Sequence, residues 1–288
     1  SHNPHIINSR AFPNSSSVMA YKLKQALGVP WVMHMSDLWA DCPEVQYRGS
    51  MLRIQNEYER MCFRSADAIC LTSGKTIEHY RRKYPEFEER FVLFPNVYDP
   101  DDATNVKSEE QFRNQRLRIV HTGTLGGGRS ATQFLDAIAA FPAERRERLE
   151  VVFVGHADRR ERAAFRAYPG REVKHLGPVS FENARELQTN ADILLLIDMS
   201  VVEPSLRVYF PSKLLDYMAS GKPILALTDP NSEVEEVMTT HHLGKCIHRN
   251  NLEGIREYLL RILNGGLYDG ILEKPIQEYS ARVNSKRL

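Results

Sequence analysis

Short apolar runs alternate along the chain with segments whose apolar residues recur every three or four positions. Short apolar runs bounded by turn residues are typical of buried strands, and the longer period is typical of helices that cover a sheet. The pattern predicts strands at 5–8, 30–35, 68–72, 91–94, 117–122, 151–154, 173–176, 191–197 and 223–227. It predicts helices at 17–27, 49–65, 75–84, 130–141, 159–168, 181–189 and 213–219. This alternation favours an α/β protein with doubly wound parallel sheets.

One polar segment interrupts the alternation. Residues 99–114 are polar and acidic without periodicity, which indicates a linker. We therefore expect a first Rossmann-like domain over 1–112, with the linker from about 99, and a second over 113–273. A C-terminal helix over 274–288 is expected to pack back on the first domain. Ligands of such proteins bind in clefts between domains, where we expect the site.

Composition and charge exclude several functions. The chain has 288 residues, enough for two domains, and 38 basic against 37 acidic residues, so its charge gives no case for a nucleic-acid partner. Four cysteines without a C-x-x-C pair argue against a disulfide framework or a zinc site and favour a reducing compartment. With no apolar run long enough to cross a bilayer and no signal segment, we expect a cytoplasmic location, including the inner face of a membrane.

The segment YFPSKLLDYMASGKPILAL, over 209–227, carries the first candidate chemistry. Pro211 ends the preceding structure, and Ser212 suits the entry to a helix. Lys213 and Asp216 lie three residues apart and project from one face of that helix. When such a helix begins at the carboxyl end of a sheet, the cation can bind a phosphate and the carboxylate can bind a sugar hydroxyl. A surface salt bridge is the alternative.

A glycine-rich loop over 121–130 carries the second candidate chemistry. Its sequence is His-Thr-Gly-Thr-Leu-Gly-Gly-Gly-Arg-Ser. It joins a predicted strand to a predicted helix, and Gly123, Gly126, Gly127 and Gly128 permit close approach of its backbone to a ligand. The spacing matches neither a P-loop nor a dinucleotide fingerprint. The planar guanidinium of Arg129 can hold a diphosphate by hydrogen bonds at two points. An ordinary tight turn is the alternative.

The 209–227 segment resembles the donor-site segment of the retaining, nucleotide-sugar-dependent glycosyltransferases of family four, whose pattern is Pro-Ser-Lys-x-x-Glu-Tyr-x-Ala-x-Gly-x-Pro. The resemblance implies that Lys213 approaches the donor diphosphate, that Asp216 binds the ribose, and that Pro211 and Ser212 of the same segment contact the substrate. Aspartate stands here where glutamate is usual. The family has a further glutamate eight positions before this one, and Val208 stands in its place. The resemblance also implies that Arg129 faces the donor phosphates.

Two further strand ends carry candidates. Trp-Val-Met-His-Met-Ser-Asp-Leu-Trp over 31–39 resembles the family's Arg-Asp-x-Trp segment, with Ser36 in place of the arginine. The resemblance implies that Asp37 or His34 orients the acceptor hydroxyl or the transferred sugar; a histidine packed in the core is the alternative for His34. His156 follows an apolar strand and is a candidate for covering the base or phosphate, with loop packing as the alternative.

Other polar residues receive simpler interpretations. Glu59, on the helix over 49–65, is assigned to a solvated face. His241 and His242 lack partners at ligand spacing, so no metal site is predicted. The basic and aromatic segment at 80–84 is a candidate for peripheral membrane contact, for which a solvated helix end is the simpler explanation.

The resemblance implies a glycosyltransferase of the B type, built from two Rossmann-like domains, with the N-terminal one incomplete in this chain. It implies a bacterial-type, retaining, metal-independent hexosyltransferase with Arg129, Lys213 and Asp37 as catalytic candidates and no cofactor besides the nucleoside diphosphate sugar. A glycan or lipid-linked acceptor and a role in cell-surface polysaccharide synthesis are implied as well. The alternatives are a sugar-nucleotide epimerase of similar fold and a non-catalytic fragment that binds nucleotide sugars.

Overall fold

A computed structural model describes residues 4–99, 116–270 and 276–285. It shows an α/β protein with two parallel sheets, as the alternation predicts. Two compact units are present. The first comprises Ser1–Asn96 and Glu203–Phe210, and the second comprises Val97–Val202 and Pro211–Leu288. The predicted linker, except for Asp99, and the predicted boundary at 112 lie outside the described residues.

The first unit is a four-stranded sheet in the order β1-β2-β3-β4, with every neighbouring pair parallel. Its elements are β1 (Ile7–Ala11), α1 (Ser15–Leu27), β2 (Trp31–Met35), α2 (Gly49–Ser65), β3 (Ala68–Leu71), α3 (Gly74–Lys83) and β4 (Phe91–Leu93). A 3-10 turn over Pro85–Arg90 precedes β4.

The core of the first unit lies on one face of this sheet. Trp31, Met33 and Met35 of β2 are buried there with side chains of the three helices, while His34 lies on the opposite face. The separate segment Glu203–Phe210 contributes Val208 to the same core. Ser73 donates a hydrogen bond of 2.9 Å to the Val208 carbonyl, which fixes this segment at the start of α3.

The second unit is a six-stranded parallel sheet in the order β10-β9-β8-β5-β6-β7. Its strands are β5 (Leu117–Thr122), β6 (Leu149–Val154), β7 (Val173–His175), β8 (Ile193–Ile197), β9 (Ile224–Thr228) and β10 (Gly244–His248). Its helices are α4 (Thr132–Ala139), α5 (Ala143–Arg146), α6 (Arg159–Ala167), α7 (Phe181–Thr189), α8 (Ser212–Ser220), α9 (Glu233–Thr240), α10 (Leu252–Leu263) and α11 (Ala281–Asn284).

The strand order places a switch point between β5 and β8. From β5 the chain first adds β6 and β7 on one side, and then returns to add β8, β9 and β10 on the other. The loops that leave the carboxyl ends of β5 and β8 therefore diverge in opposite directions. In open α/β sheets such a divergence forms the crevice in which ligands bind.

Most predicted elements agree with the structure within two residues. The short α5 (Ala143–Arg146) and the 3-10 turn at Pro85–Arg90 have no counterpart in the prediction, and three further regions differ. The first strand is Ile7–Ala11 rather than 5–8, because its buried residues alternate with polar ones that face the other side. Between residues 229 and 273, where the pattern assigns no elements, the structure adds α9, β10 and α10. In place of one helix over 274–288, the described residues hold a 3-10 turn at Gln277–Tyr279 and the four-residue α11.

Two findings bear on a membrane location. Within the described ranges, no helix is long and apolar enough to cross a membrane. The interpretation of 80–84 as an aromatic and basic membrane contact is wrong, since Tyr80 and Tyr84 are buried. Lys83 is drawn inward as well, because it forms ion pairs with Glu59 and Asp41.

Candidate active site

The side chain of Lys213 lies directly over the backbone of Gly123. A Cβ atom built at Gly123 would overlap the Lys213 side chain and would lie 2.6 Å from its ammonium nitrogen. Helix α8 begins at Ser212, an exposed residue, after Pro211 in extended conformation, so Lys213 is on the first turn and projects toward the loop after β5. The structure thus brings together the two segments singled out in the sequence. Both lie at the switch point.

Arg129 adds a second positive charge to this region. Burial lowers the pKa of Lys213, the charge of Arg129 lowers it further, and Asp216 opposes both effects. Asp216 is exposed, one turn further along α8. Two cations held near each other in a half-buried place favour an anion, because a bound anion relieves their repulsion and restores the charged form of the lysine.

Gly126 and Arg129 close a tight hairpin in the glycine-rich loop. The Gly126 N–H donates to the Arg129 carbonyl at 2.8 Å, and the Arg129 N–H donates to the Gly126 carbonyl at 3.1 Å. The φ values of Gly126, Gly127 and Gly128 are 121°, 57° and 91°. Non-glycine residues adopt such values only with strain, so the glycines set the direction in which the chain presents Arg129.

Buried hydrogen bonds tie the start of this loop to helix α8. The Tyr217 hydroxyl, on the helix that carries Lys213, accepts from the Thr122 N–H at 2.9 Å and donates to the Leu195 carbonyl at 3.2 Å. Gln188 donates to the Thr122 hydroxyl at 2.7 Å. The distance between Lys213 and the loop therefore depends on a rigid connection rather than on a flexible side chain alone.

The helix that follows the loop does not offer its N-terminus to a ligand. Glu161, which is 2% exposed, accepts from the Ala131 N–H at 2.8 Å and from the Ser130 hydroxyl at 2.7 Å. A protein carboxylate therefore already occupies the amino end of α4. An anion at this site would contact the glycine loop and the two cations instead.

The backbone of His156 contacts the glycine loop. Its carbonyl accepts from the Leu125 N–H at 2.8 Å, so the loop after β6 lies against the loop after β5. Its side chain is exposed. A contact with the base or the phosphate stays a prediction.

His34 and Asp37 belong to the first unit. His34 lies within β2, its ring edge faces Phe94 at 6.0 Å between centroids, and its Nδ1 has no hydrogen-bond partner in the described part of the chain. Burial and then the charge of Arg10 lower the pKa of His34. Asp37 is exposed in the loop after β2. Their acceptor-side roles stay predictions.

A buried carboxylate anchors the loop that carries Asp37. Glu59 is fully buried and accepts from the Ala40 N–H at 3.2 Å, from Tyr80 at 2.8 Å, from Tyr84 at 2.9 Å and from Lys83 at 2.5 Å. The assignment of Glu59 to a solvated face is therefore wrong. The sequence conceals this role, because the partners lie on another helix and in a distant loop.

The sequence profile of the family described as glycosyl transferases group 1 matches residues 116–265, which is more than half of the chain. The chain belongs to this family. The match covers the glycine loop, α8 and the strands between them. A comparison with curated protein sequences gives no match.

Solved structures show the same fold at low sequence identity. This family member is similar to HepE from Anabaena, solved with UDP and glucose, at 15% identity and a TM-score of 0.63, over 91% of this chain and 68% of HepE. It is similar to the lipopolysaccharide outer core galactosyltransferase WaaB at 14% identity and a TM-score of 0.64, over 99% of this chain and 73% of WaaB. A putative UDP-N-acetylglucosamine 2-epimerase from Listeria monocytogenes aligns at 14% identity and a TM-score of 0.58, over 91% of this chain and 67% of that protein. These likenesses confirm the predicted B-type glycosyltransferase fold.

Proposed function

We propose that this family member transfers a sugar, with retention, from a nucleoside diphosphate sugar to a glycan or lipid-linked acceptor in cell-surface polysaccharide synthesis. The observation that carries the proposal is the position of Lys213 over Gly123, beside Arg129, at the switch point of the sheet. A half-buried pair of cations beside a loop that only glycine can form suits a diphosphate. UDP is the first nucleotide to test, because HepE was solved with it.

In this proposal the two cations replace a metal ion as the stabilisers of the leaving group. As the bond between the sugar C1 and the diphosphate oxygen breaks, its electron pair stays on the diphosphate, whose growing charge Arg129 and Lys213 neutralise. The acceptor oxygen forms its bond to C1 on the same face of the sugar. Its proton passes to the departing diphosphate oxygen, so no enzyme carboxylate is assigned as a nucleophile.

Asp37, His34 and His156 complete the proposed assignments. Asp37 and His34 are assigned to the acceptor or the transferred sugar, and His156 to the nucleotide. We propose a cytoplasmic location, which includes the inner face of the membrane where lipid-linked acceptors are found.

The test is calorimetric titration with UDP followed by analysis of the product from UDP-sugars. We expect Lys213→Ala to weaken UDP binding about 100-fold, because the variant loses one or two charge-assisted hydrogen bonds to the diphosphate. The matched control is Lys222→Ala, because Lys222 follows the same helix, its pKa is also lowered by burial, and it lies near Asp192. Unchanged binding in Lys213→Ala would contradict the assignment.

A sugar-nucleotide epimerase is the second candidate, motivated by the similarity to the putative epimerase. Product analysis separates the two functions. A glycoside with the anomeric configuration of the donor supports the proposed transfer, whereas a donor with an inverted ring carbon supports epimerisation. Binding without turnover supports the non-catalytic alternative.

A further inference from the structure

A buried arginine holds the loop that leaves β8. Arg249 follows β10 and is 6% exposed. Its guanidinium donates to the Asp198 carbonyl at 3.0 Å and to the Met199 carbonyl at 3.0 Å, and its Nε donates to Asp229 at 2.9 Å. The second carboxylate oxygen of Asp229 accepts from the Val201 N–H at 3.1 Å. One buried ion pair therefore fixes the backbone of residues 198–201.

This loop in turn supports the glycine-rich hairpin. The Ser200 N–H donates to the Gly128 carbonyl at 3.0 Å. A Cβ atom at Gly128 would lie 3.3 Å from the Met199 side chain and 3.4 Å from the Ser200 carbonyl, so the two loops are in close contact. Gly128 is adjacent to Arg129 in the chain. A continuous series of contacts thus runs from Arg249 through residues 198–201 to Arg129.

The chemistry of the pair fits a positioning role. A buried ion pair is costly to desolvate and is often no more stabilising than apolar side chains of similar volume. Here the fork of the guanidinium is directed at two successive carbonyls of a single loop, and its partner carboxylate holds an N–H of the same loop. Lysine cannot reproduce this arrangement, since it lacks the planar fork of donors.

We infer that Arg249 is a positioning residue for the diphosphate site, which fixes residues 198–201 and through them the hairpin that presents Arg129. The identity of the ligand in this inference rests on the proposed function. The structural part of the inference, in which the positions of two loops depend on one arginine, is independent of the proposed function.

The experiment compares Arg249→Lys with the parent protein by hydrogen–deuterium exchange and by titration with UDP. We expect faster exchange confined to 198–202 and 123–129, with the strands of the second unit still protected, and UDP binding at least 10-fold weaker. Turnover at saturating donor should fall less than the affinity does, because Arg249 does not touch the reacting atoms. Arg148→Lys is the matched control, since Arg148 donates to the Leu263 carbonyl at 2.6 Å. Arg148 precedes β6 and so lies at the amino ends of the strands, away from the candidate site at their carboxyl ends.

The outcomes distinguish the inference from the proposed function. If the parent protein binds neither UDP nor another nucleoside diphosphate, the proposed function fails, and the exchange pattern alone then decides the inference. Unchanged exchange in both loops overturns it, as does faster exchange throughout the unit, which would show a merely structural role. If Arg249→Lys does not fold, Asp229→Asn replaces it and should show the same two loops loosened, with unchanged loops again overturning the inference.

Discussion

The aliphatic stem of Lys213 fills the space that any side chain at residue 123 would need. A side chain at this position would therefore displace the end of the Lys213 side chain, in addition to the backbone strain at a φ of 142°. We expect Gly123→Ala to displace the ammonium group and to weaken UDP binding about 100-fold, or about 2.8 kcal/mol, which is within the range of roughly 1.5–3 kcal/mol for a hydrogen bond to a charged group. Calorimetric titration measures this change.

The control for backbone strain is Gly265→Ala. Gly265 has a φ of 86°, and a Cβ atom there would meet nothing within 4 Å. This variant should lose about 1 kcal/mol of stability from its backbone alone and should bind UDP normally. Equal losses of affinity in the two variants would refute the specific role of the space above Gly123.

Asp216 provides a prediction about the ribose. If its carboxylate binds the ribose hydroxyls, Asp216→Ala should weaken UDP binding about 10-fold and should bind UDP and its dideoxy analogue equally well. The parent protein should prefer UDP. Asp136→Ala, which removes an exposed carboxylate from α4, is the control. A variant that still discriminates between the two nucleotides would remove Asp216 from the ribose site.

His121 provides a prediction about pH. It is fully buried at the end of β5, and its Nδ1 lies 2.9 Å from the Leu195 carbonyl. The pKa of His121 is lowered from 6.5 to about 4. Burial is the largest cause, the hydrogen bond to the Leu195 carbonyl opposes it, and the charges of Lys213 and Arg129 add to the lowering. Between these values the unfolded chain binds the proton and the folded chain does not, so stability is complete above pH 6.5 and falls as pH decreases toward 4.

The matching variant is His121→Asn, which keeps a donor for the Leu195 carbonyl but does not titrate. Urea unfolding at pH 7.5 and pH 5 should show a loss of stability in the parent protein that exceeds the loss in the variant by on the order of 2 kcal/mol. Equal losses would mean that His121 is protonated in the folded protein at pH 5.

Glu59 provides a prediction about the stability of the first unit. Glu59→Gln removes the fully buried carboxylate that accepts from Lys83, Tyr80 and Tyr84, and Lys83 keeps only its ion pair with Asp41. We expect a loss of about 3 kcal/mol in the free energy of unfolding. Glu57→Gln, an exposed change on the same helix, should alter stability by less than about 0.5 kcal/mol. If the two variants were equally stable in urea titrations, the Glu59 network would not hold the loop after β2.

The elements were predictable where burial follows a simple period. Helix α2 and strand β5 match the predicted bounds, because their apolar residues repeat at the spacing of a helix and of a fully buried strand. The predicted bounds of strand β1 were displaced toward the N-terminus, since the polar residues Asn8, Ser9 and Arg10 conceal its alternation of buried and exposed positions. The resemblance implied that Lys213 and Arg129 both face the donor phosphates, and the structure brings Lys213 to the glycine loop.

Buried charges were not predictable. Glu59, Glu161 and Arg249 each look solvent-exposed in the sequence, yet each is below 7% exposed. Their partners are backbone groups and side chains brought near by the fold, and no local pattern identifies these partners. For the same reason the sequence showed the two cations of the candidate site but not the ion pair behind them.

The division of the chain between its units limits how it can be dissected. Residues Glu203–Phe210 belong to the first unit, although the sequence on both sides of them belongs to the second. No single cut therefore separates the two units: a fragment that starts after Asn96 carries away Val208, and the first unit loses the carbonyl to which Ser73 donates. Separate production of the second unit requires replacement of these eight residues by a short polar loop, and the first unit must receive them as an added peptide.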